Sequence, residues 1–406
     1  MISNPIYDPY LILTKVYSEG AHVKQAIADT YIEELYRSRT VRIVYGVLEN
    51  DGYLSYCIKH YAPKAPKLAV RTILKISLYM ILFMEKSRYM VTDNAVELCK
   101  KLGKSGVSGF VNAFLRKFNG EEISLPAGDE GLAVKYSFPL FAVKKIKAAY
   151  GDRAKSILSA SSKGVTVRFE RNEEKYLDKE HLETPFPHVY IFKNFVREAG
   201  FFAGDYTFQS VGSVAICDLV PSCENLLDAC AAPGGKSVLL AKRCQNVLST
   251  ELHEHRVSLI TQYKQRMGKE NVTEMQADAT VERSEFLEAF DGVLCDVPCS
   301  GFGTFAENPD IKLKGDTLIE LNKTQIAILE NCRKYVKRGG TLTYSTCSLF
   351  REENDDIVGQ FLKKHTDFER VEIDSPLDHL KTEYGLQFLP DTAYGAGFYV
   401  AQLRKK

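Results

Sequence analysis

The chain has 406 residues, 45% hydrophobic and 26% charged, with a net charge of +1 at pH 7. That length is too great for one compact core, so two or three domains are expected. The near-zero net charge argues against a surface coated in nucleic acid, although residues 1–120 carry more Lys and Arg than Asp and Glu.

The longest strongly apolar run, residues 76–84, is far shorter than the roughly 20 residues a membrane helix needs, so no membrane association is expected. Met1-Ile2-Ser3-Asn4-Pro5 lacks the basic segment and apolar core of a signal peptide. The ten cysteines include no Cys-x-x-Cys, and they read as reduced thiols in the cytoplasm.

Residues 6–120 read as all-helical. Apolar residues recur three and four apart in Ala26-Ile27-Ala28-Asp29-Thr30-Tyr31-Ile32-Glu33-Glu34-Leu35 and in Val41-Arg42-Ile43-Val44-Tyr45-Gly46-Val47-Leu48. Residues 68–84 are apolar on most sides and predict the central helix of a bundle. Pro63 and Pro66 stop the helix before it. Residues 91–102 form an amphipathic pattern closed by Gly103, and Gly109 begins the last helix.

Arg37, Val44-Tyr45-Gly46-Val47-Leu48, Arg71-x-Ile73-Leu74, Asn94-Ala95-Val96-Glu97-Leu98 and Gly109-Phe110-Val111-Asn112-Ala113-x-Leu115-Arg116 resemble the NusB-type RNA-binding helical domain. The version they resemble is fused to bacterial ribosomal RNA methyltransferases. Residues 120–131 read as a linker by composition. Residues 133–161 read as two helices around Tyr150-Gly151-Asp152. Gly164-Val165-Thr166-Val167-Arg168-Phe169 and Val189-Tyr190-Ile191-Phe192 read as strands, so a small α+β subdomain is expected. It resembles the segment that grips RNA in the same methyltransferases. Arg168 fits their Arg-x-Asn pattern, but Glu170 replaces the Asn. Tyr206-Thr207-Phe208-Gln209-Ser210-Val211-Gly212-Ser213 resembles the segment where Gln and Ser pack beneath the cofactor loop. It also reads as a helix capped by Thr207 or Ser210.

Asn225-Leu226-Leu227-Asp228-Ala229 reads as a strand. Cys230-Ala231-Ala232-Pro233-Gly234-Gly235-Lys236-Ser237 reads as a tight turn into a helix. This is the first unit of a Rossmann-type fold, whose turn favours an anion. The P-loop spacing fails at Cys230, and Gly-x-Gly-x-x-Gly is absent. Pro233 shortens the turn and suits a smaller anion such as an amino-acid carboxylate, which points to S-adenosylmethionine. The next strand ends at Glu251, placed to accept from ribose hydroxyls. Asp278 ends the following strand and suits the adenine amino group. His253-Glu254-His255 lacks a third ligand and reads as solvated helix surface, so no metal is expected.

Two thiols follow further strand patterns. Phe290-Asp291-Gly292-Val293-Leu294 leads to Cys295-Asp296-Val297-Pro298-Cys299-Ser300-Gly301, and Gly340-Thr341-Leu342-Thr343 leads to Tyr344-Ser345-Thr346-Cys347-Ser348. Both thiols then lie past strand C-termini, where open α/β sheets place ligands. Spacing alone leaves open which thiol is a nucleophile.

These motifs, with Asn308-Pro309-Asp310-Ile311-Lys312, Glu352-Glu353-Asn354, Phe388-Leu389-Pro390 and Gly397-Phe398-Tyr399-Val400-Ala401, occur in the order of the RNA cytosine-C5 methyltransferases. With the NusB-like front, the overall resemblance is to the 16S ribosomal RNA methyltransferase B group. It departs at Ala306-Glu307, where relatives usually carry arginine. Cytosine C5 is a weak nucleophile until a thiolate adds to C6, so the chemistry needs a thiolate, an acid at the N3/N4 edge and an extruded base. The resemblance implies Cys347 as nucleophile and Cys299 aiding release. The chemistry makes Asp296 the candidate that holds the base, protonated or bridging to N4, and Lys236 reads as lining the site.

The expected fold is multidomain: an all-α NusB-like bundle over residues 1–125, a small α+β RNA-binding subdomain over 126–204, and an α/β Rossmann-like class I methyltransferase domain over 205–406. The expected cofactor is S-adenosylmethionine, held by Cys230, Ala231, Ala232, Pro233, Gly234, Gly235, Lys236, Glu251, Asp278 and Asp296. The expected substrate is 16S rRNA, naked or in a partly assembled small subunit, and the expected state is a monomer. Two alternatives are an RNA-binding assembly or antitermination factor with an inactive fold, and the same chemistry on tRNA.

Overall fold

The computed structural model describes residues 4–62, 64–118, 120 and 123–406. Pro63, Met1, Ile2, Ser3 and the linker residues Glu121 and Glu122 lie outside the described residues. The chain divides into two compact units, one of Met1–Ser159 and Phe305–Gly315, the other of Ala160–Thr304 and Asp316–Lys406.

The first unit is helical. The helix Leu68–Leu82 buries Val70, Ile73, Leu74, Ile76, Leu78 and Met80 around its circumference, which makes it the unit's central element. Each such side chain contributes roughly 1.5–3 kcal/mol by leaving water. The same helix buries Lys75, whose Nζ lies 2.5 Å from Asp51 Oδ1, while Tyr17 Oη donates to the same oxygen at 2.5 Å. A charge this deep persists only when paired. The helices Arg88–Lys101 and Ser108–Lys117 close the bundle, with Gly103 at φ +68° after the first of them.

Residues 128–158 differ from the two-helix expectation. They form Gly128–Tyr136, Leu140–Tyr150 and Ala154–Leu158. Pro139 disfavours helical geometry at Phe138, and Ser137 turns left-handed at φ +55°. These helices group with the helical unit rather than with the strands that follow. Tyr53 N donates to Ser137 Oγ at 3.1 Å, which ties this segment to the helix Asp51–Tyr61. The segment 305–315 also belongs here. Lys312 donates to the Tyr136 carbonyl at 3.1 Å and sits 4.7 Å from the Phe138 ring centre. Burial pulls its ammonium down to about 8.

The second unit opens with a small antiparallel sheet of β1 (Val165–Phe169), β2 (His181–Glu183), β3 (Val189–Phe192) and β4 (Tyr206–Phe208), in the order β2-β3-β1-β4. β2 and β4 are too short to show periodicity in the sequence. An aromatic cluster of Phe169, Tyr176, Phe192, Phe195 and Tyr206 packs this sheet. Arg168 is buried. Its Nε donates to Gln209 at 2.8 Å, and it pairs with Glu170, which also meets Lys242 at 3.0 Å. The helix Val211–Leu219 begins at Ser210, whose Oγ accepts from Ser213 N.

The large sheet has nine strands: β5 (Asn225–Asp228), β6 (Asn246–Glu251), β7 (Val272–Gln276), β8 (Phe290–Asp296), β9 (Val336–Thr346), β10 (Phe368–Val371), β11 (His379–Lys381), β12 (Leu386–Phe388) and β13 (Tyr399–Lys405). The order is β11-β12-β13-β9-β8-β5-β6-β7, with β10 on β13. The run β7-β6-β5-β8-β9 is parallel, and β13 is antiparallel to β9. Both faces are covered: Leu226 joins one apolar cluster and its neighbour Leu227 the other. The connections reverse direction at β5, which opens a crevice at the strand C-termini. Among the described residues no helix is long and apolar enough to cross a membrane.

Candidate active site

The crevice is built from strand ends. β8 delivers Asp296 opposite Ser345 of β9, and each strand then releases a cysteine loop. Cys299 Sγ and Cys347 Sγ lie 2.9 Å apart, and Cys347 N donates to Cys299 Sγ at 3.2 Å. Both thiols are half-buried. The contact with Cys347, then burial, then the charge of Glu353 push the Cys299 thiol well above its usual value. Gly303 N donates to the Cys347 carbonyl at 2.9 Å, and Gly303 and Gly397 approach so closely that neither has room for a Cβ.

Asp296 is held at both oxygens: Lys236 Nζ donates to Oδ2 at 2.6 Å and Ser345 Oγ to Oδ1 at 2.7 Å. Burial pulls the Lys236 ammonium down, but Asp296 and Asp228 outweigh it and hold it above its ordinary value. The sequence thus brings Cys299, Cys347, Asp296 and Lys236 to one crevice.

The turn after β5 is tied to β6, with Ala231 N donating to the Thr250 carbonyl at 2.9 Å. Cys230 is a turn residue whose thiol burial pushes well up, which makes it inert. Ala232, Pro233 and Gly234 form the bend. Gly234 sits at φ +101°, which only glycine adopts readily, and Gly235 starts the helix Gly235–Leu240. Glu251 is buried at the end of β6, where Arg256 donates to it at 3.2 Å. Asp278 follows β7 and accepts from Thr280 N at 2.8 Å.

His253 and His255 are exposed, and their rings stack 5.6 Å apart because His253 precedes the first helical residue. Among the described residues no group of His, Cys, Asp and Glu could hold a metal. Asn308, Asp310 and Lys312, quoted above as part of the methyltransferase pattern, belong to the first unit.

Several further residues shape the crevice. Ser345 reaches Asp296, and Asp228 accepts from Ser237 Oγ at 2.7 Å. Burial pushes Asp228 up to about 6. Glu353, Gln325, Ser300 and Ser348 form a buried network under the thiols. The signals available were a serine after each cysteine and the Glu352-Glu353-Asn354 motif.

The RsmB/F model, described as 16S rRNA methyltransferase RsmB/F, matches residues 218–404, and the NusB family model matches residues 12–119. The probable ribosomal RNA small subunit methyltransferase B of Bacillus subtilis is 32% identical over 95% of this chain and 94% of its own length. The chain belongs to the 16S rRNA methyltransferase RsmB/F family. The ribosomal RNA small subunit methyltransferase B of Yersinia enterocolitica is 28% identical over 91% of each chain. The solved structure of PH0851 shares the fold of this RsmB/F family member with a TM-score of 0.86, at 23% identity over 99% of each chain.

The cofactor of this RsmB/F family member is S-adenosylmethionine. The residues present fit it. Asp228 Oδ1 and Gln209 Nε2 are buried with no partner among the described residues, and a Cβ on Gly235 would lie 3.7 Å from that Gln209 nitrogen. Unsatisfied polar atoms at a glycine turn are what a small polar ligand requires. Gly234, Gly235, Gln209 and Asp228 would hold its amino-acid end, and Glu251 and Asp278 its nucleoside.

Proposed function

We propose that this chain methylates C5 of a cytosine in 16S rRNA through a covalent adduct between Cys347 and C6. The observation that carries the reading is the pair of thiols at 2.9 Å, at the ends of adjacent parallel strands and beside Asp296. A binding factor has no use for two thiols there. The methyltransferase B relatives and the NusB match support ribosomal RNA as the substrate, gripped by the helical front.

S-adenosylmethionine supplies a methyl group on a sulfonium. Asp296, oriented by Lys236 and Ser345, accepts from the N4 amino group of the extruded base. The Cys347 thiolate forms an Sγ–C6 bond, and the C5–C6 π pair moves onto C5. The proton Cys299 carries at rest passes through water to N3, on the far side of the ring from C6. C5 then uses its electron pair to take the methyl, and the broken C–S pair stays on sulfur, which leaves as the neutral thioether. The C5 proton passes to the Cys299 thiolate, its pair reforms the ring double bond, and Cys347 leaves as thiolate. The ring proton goes to solvent with the product. The acting form is a cytoplasmic monomer.

The test offers labelled S-adenosylmethionine with unmodified 16S rRNA or tRNA to wild type, Cys347→Ser and Cys299→Ser. Label enters 16S rRNA with wild type, Cys347→Ser gives no product, and Cys299→Ser accumulates a protein–RNA adduct. Normal turnover by Cys347→Ser overturns the nucleophile assignment. No transfer to any RNA by wild type favours a binding factor, and transfer to tRNA alone changes the substrate.

A further inference from the structure

Glu353 is a fully buried carboxylate in the short turn Arg351–Glu353. No cation pairs with it among the described residues; its oxygens are filled by uncharged donors. Oε1 accepts from Ser300 N at 2.8 Å and from Gln325 Nε2 at 3.0 Å. Oε2 accepts from Ser300 Oγ at 2.5 Å and from Ser348 Oγ. Gln325 Nε2 also donates to the Pro298 carbonyl at 3.0 Å, so both neighbours of Cys299 are anchored. Ser348 Oγ in turn accepts from Phe350 N at 3.0 Å. A buried carboxylate is costly unless its acceptors are filled, and filling them draws the donors to one point.

Apart from Gln325, those donors belong to Ser300 and Ser348, the residues that follow Cys299 and Cys347 in two loops far apart in sequence. Resting on the Cys347-nucleophile reading, we propose that Glu353 is a positioning residue that clasps the residue after each thiol and so holds both the two sulfurs against each other and its own negative charge beside Cys299. A neutral side chain of the same shape would brace the loops as well; the carboxylate adds charge. The ionisable groups facing Cys299 are Cys347 from its loop, Glu353 from its turn and Tyr344 from β9. The contact with Cys347 and burial raise the proton affinity of Cys299 most, and Glu353 adds to it. Once its resting proton has gone to the ring, a Cys299 thiolate of high proton affinity is a strong base for the C5 proton.

The experiment compares full-length wild type, Glu353→Gln and Glu353→Asp. Iodoacetamide labelling of Cys299 is followed by mass spectrometry across pH, without RNA. Turnover of 16S rRNA gives kcat, KM and the fraction of trapped adduct. For Glu353→Gln, the labelling midpoint moves down by about one pH unit or more. Its kcat falls at least about tenfold with KM unchanged, and adduct accumulates. Glu353→Asp keeps the charge and recovers the midpoint and part of kcat. A Glu353→Gln midpoint equal to wild type overturns the proposal, whatever happens to kcat, because bracing alone leaves the thiol's charge environment intact. If Glu353→Gln does not fold, Ser348→Ala, which removes one clasp donor, lowers kcat several-fold at constant KM; wild-type kcat in it overturns the clasp. Product from Cys347→Ser, run in parallel, overturns the nucleophile reading, whereas the shift in labelling midpoint between wild type and Glu353→Gln reads the Glu353 charge whichever thiol attacks.

Discussion

Two buried Lys–Asp pairs of nearly equal length serve different ends. Lys75–Asp51 spans 2.5 Å in the helical unit, and Lys236–Asp296 spans 2.6 Å in the crevice. Lys75 and Asp51 are 6% and 13% exposed, Lys236 and Asp296 15% and 25%. Burial pulls the Lys75 ammonium down despite Asp51, with Arg71 adding to the fall. Burial pulls on Lys236 too, but Asp296, its hydrogen bond and Asp228 reverse the direction. The surroundings, not the pair, decide whether a buried lysine is a strut or a tuned charge at a reaction centre. One sits among helices with its acceptor shared by Tyr17; the other faces an open crevice with a second carboxylate behind it.

The largest effect that separates them is on activity. Lys236→Met should cost at least about 100-fold in methyl transfer, because Asp296 loses the partner that orients it. Its stability should fall by about 1–3 kcal/mol, less than the loss expected on breaking Lys75–Asp51, because the quarter-exposed Asp296 keeps its Ser345 donor and gains water. Methylation assays and urea unfolding measure both; normal turnover would erase the distinction between the pairs.

Asp51→Ala should show the converse. It leaves Lys75 unpaired in the bundle and should cost about 3–5 kcal/mol. The double substitution Lys75→Met/Asp51→Leu should return most of that loss, because an apolar pair can replace a structural ion pair. A double variant as unstable as Asp51→Ala would mean the charge pair itself specifies the bundle.

The smallest effect is in pH dependence, and its sign differs. Lys236, raised in the fold, contributes stability fully present below its unfolded value of about 10.4 and lost as pH rises through its folded value. Lys75, lowered in the fold, carries a penalty below its folded value that is relieved as pH rises through it. Unfolding of wild type against Lys75→Met should therefore show stability rising with pH below about pH 10.4, and against Lys236→Met stability falling with pH above it.

Much of the fold was legible in the sequence because local pattern and local structure agree. Residues 68–84 read as a central helix, and Leu68–Leu82 is buried around its circumference. The strand, turn and helix from Asn225 to Leu240 follow from apolar run, glycine bend and periodicity. The cysteine motifs follow strands because an apolar run ends where the chain reaches the sheet edge. β2 and β4 were not legible, since three residues carry no period and only pairing with β3 and β1 makes them strands. Nor was the helix break at Ser137–Pro139 anticipated.

Local pattern fixes the order of elements and the chemical types at the strand ends: two thiols, an acid, a lysine and a glycine turn. Tertiary structure alone decided their relations. Cys299 and Cys347 meet because β8 and β9 are adjacent, parallel and in register at Asp296 and Ser345. Glu353 joins the two cysteine loops because its carboxylate, removed from water, must gather donors from both. The segment 305–315 leaves the methyltransferase sequence to pack with helices, because the rings of Phe138 and Phe305 lie 4.8 Å apart and give Lys312 a place to lie. Periodicity reports what each residue does to its own segment; pairing, burial and charge come from segments that sequence distance keeps apart.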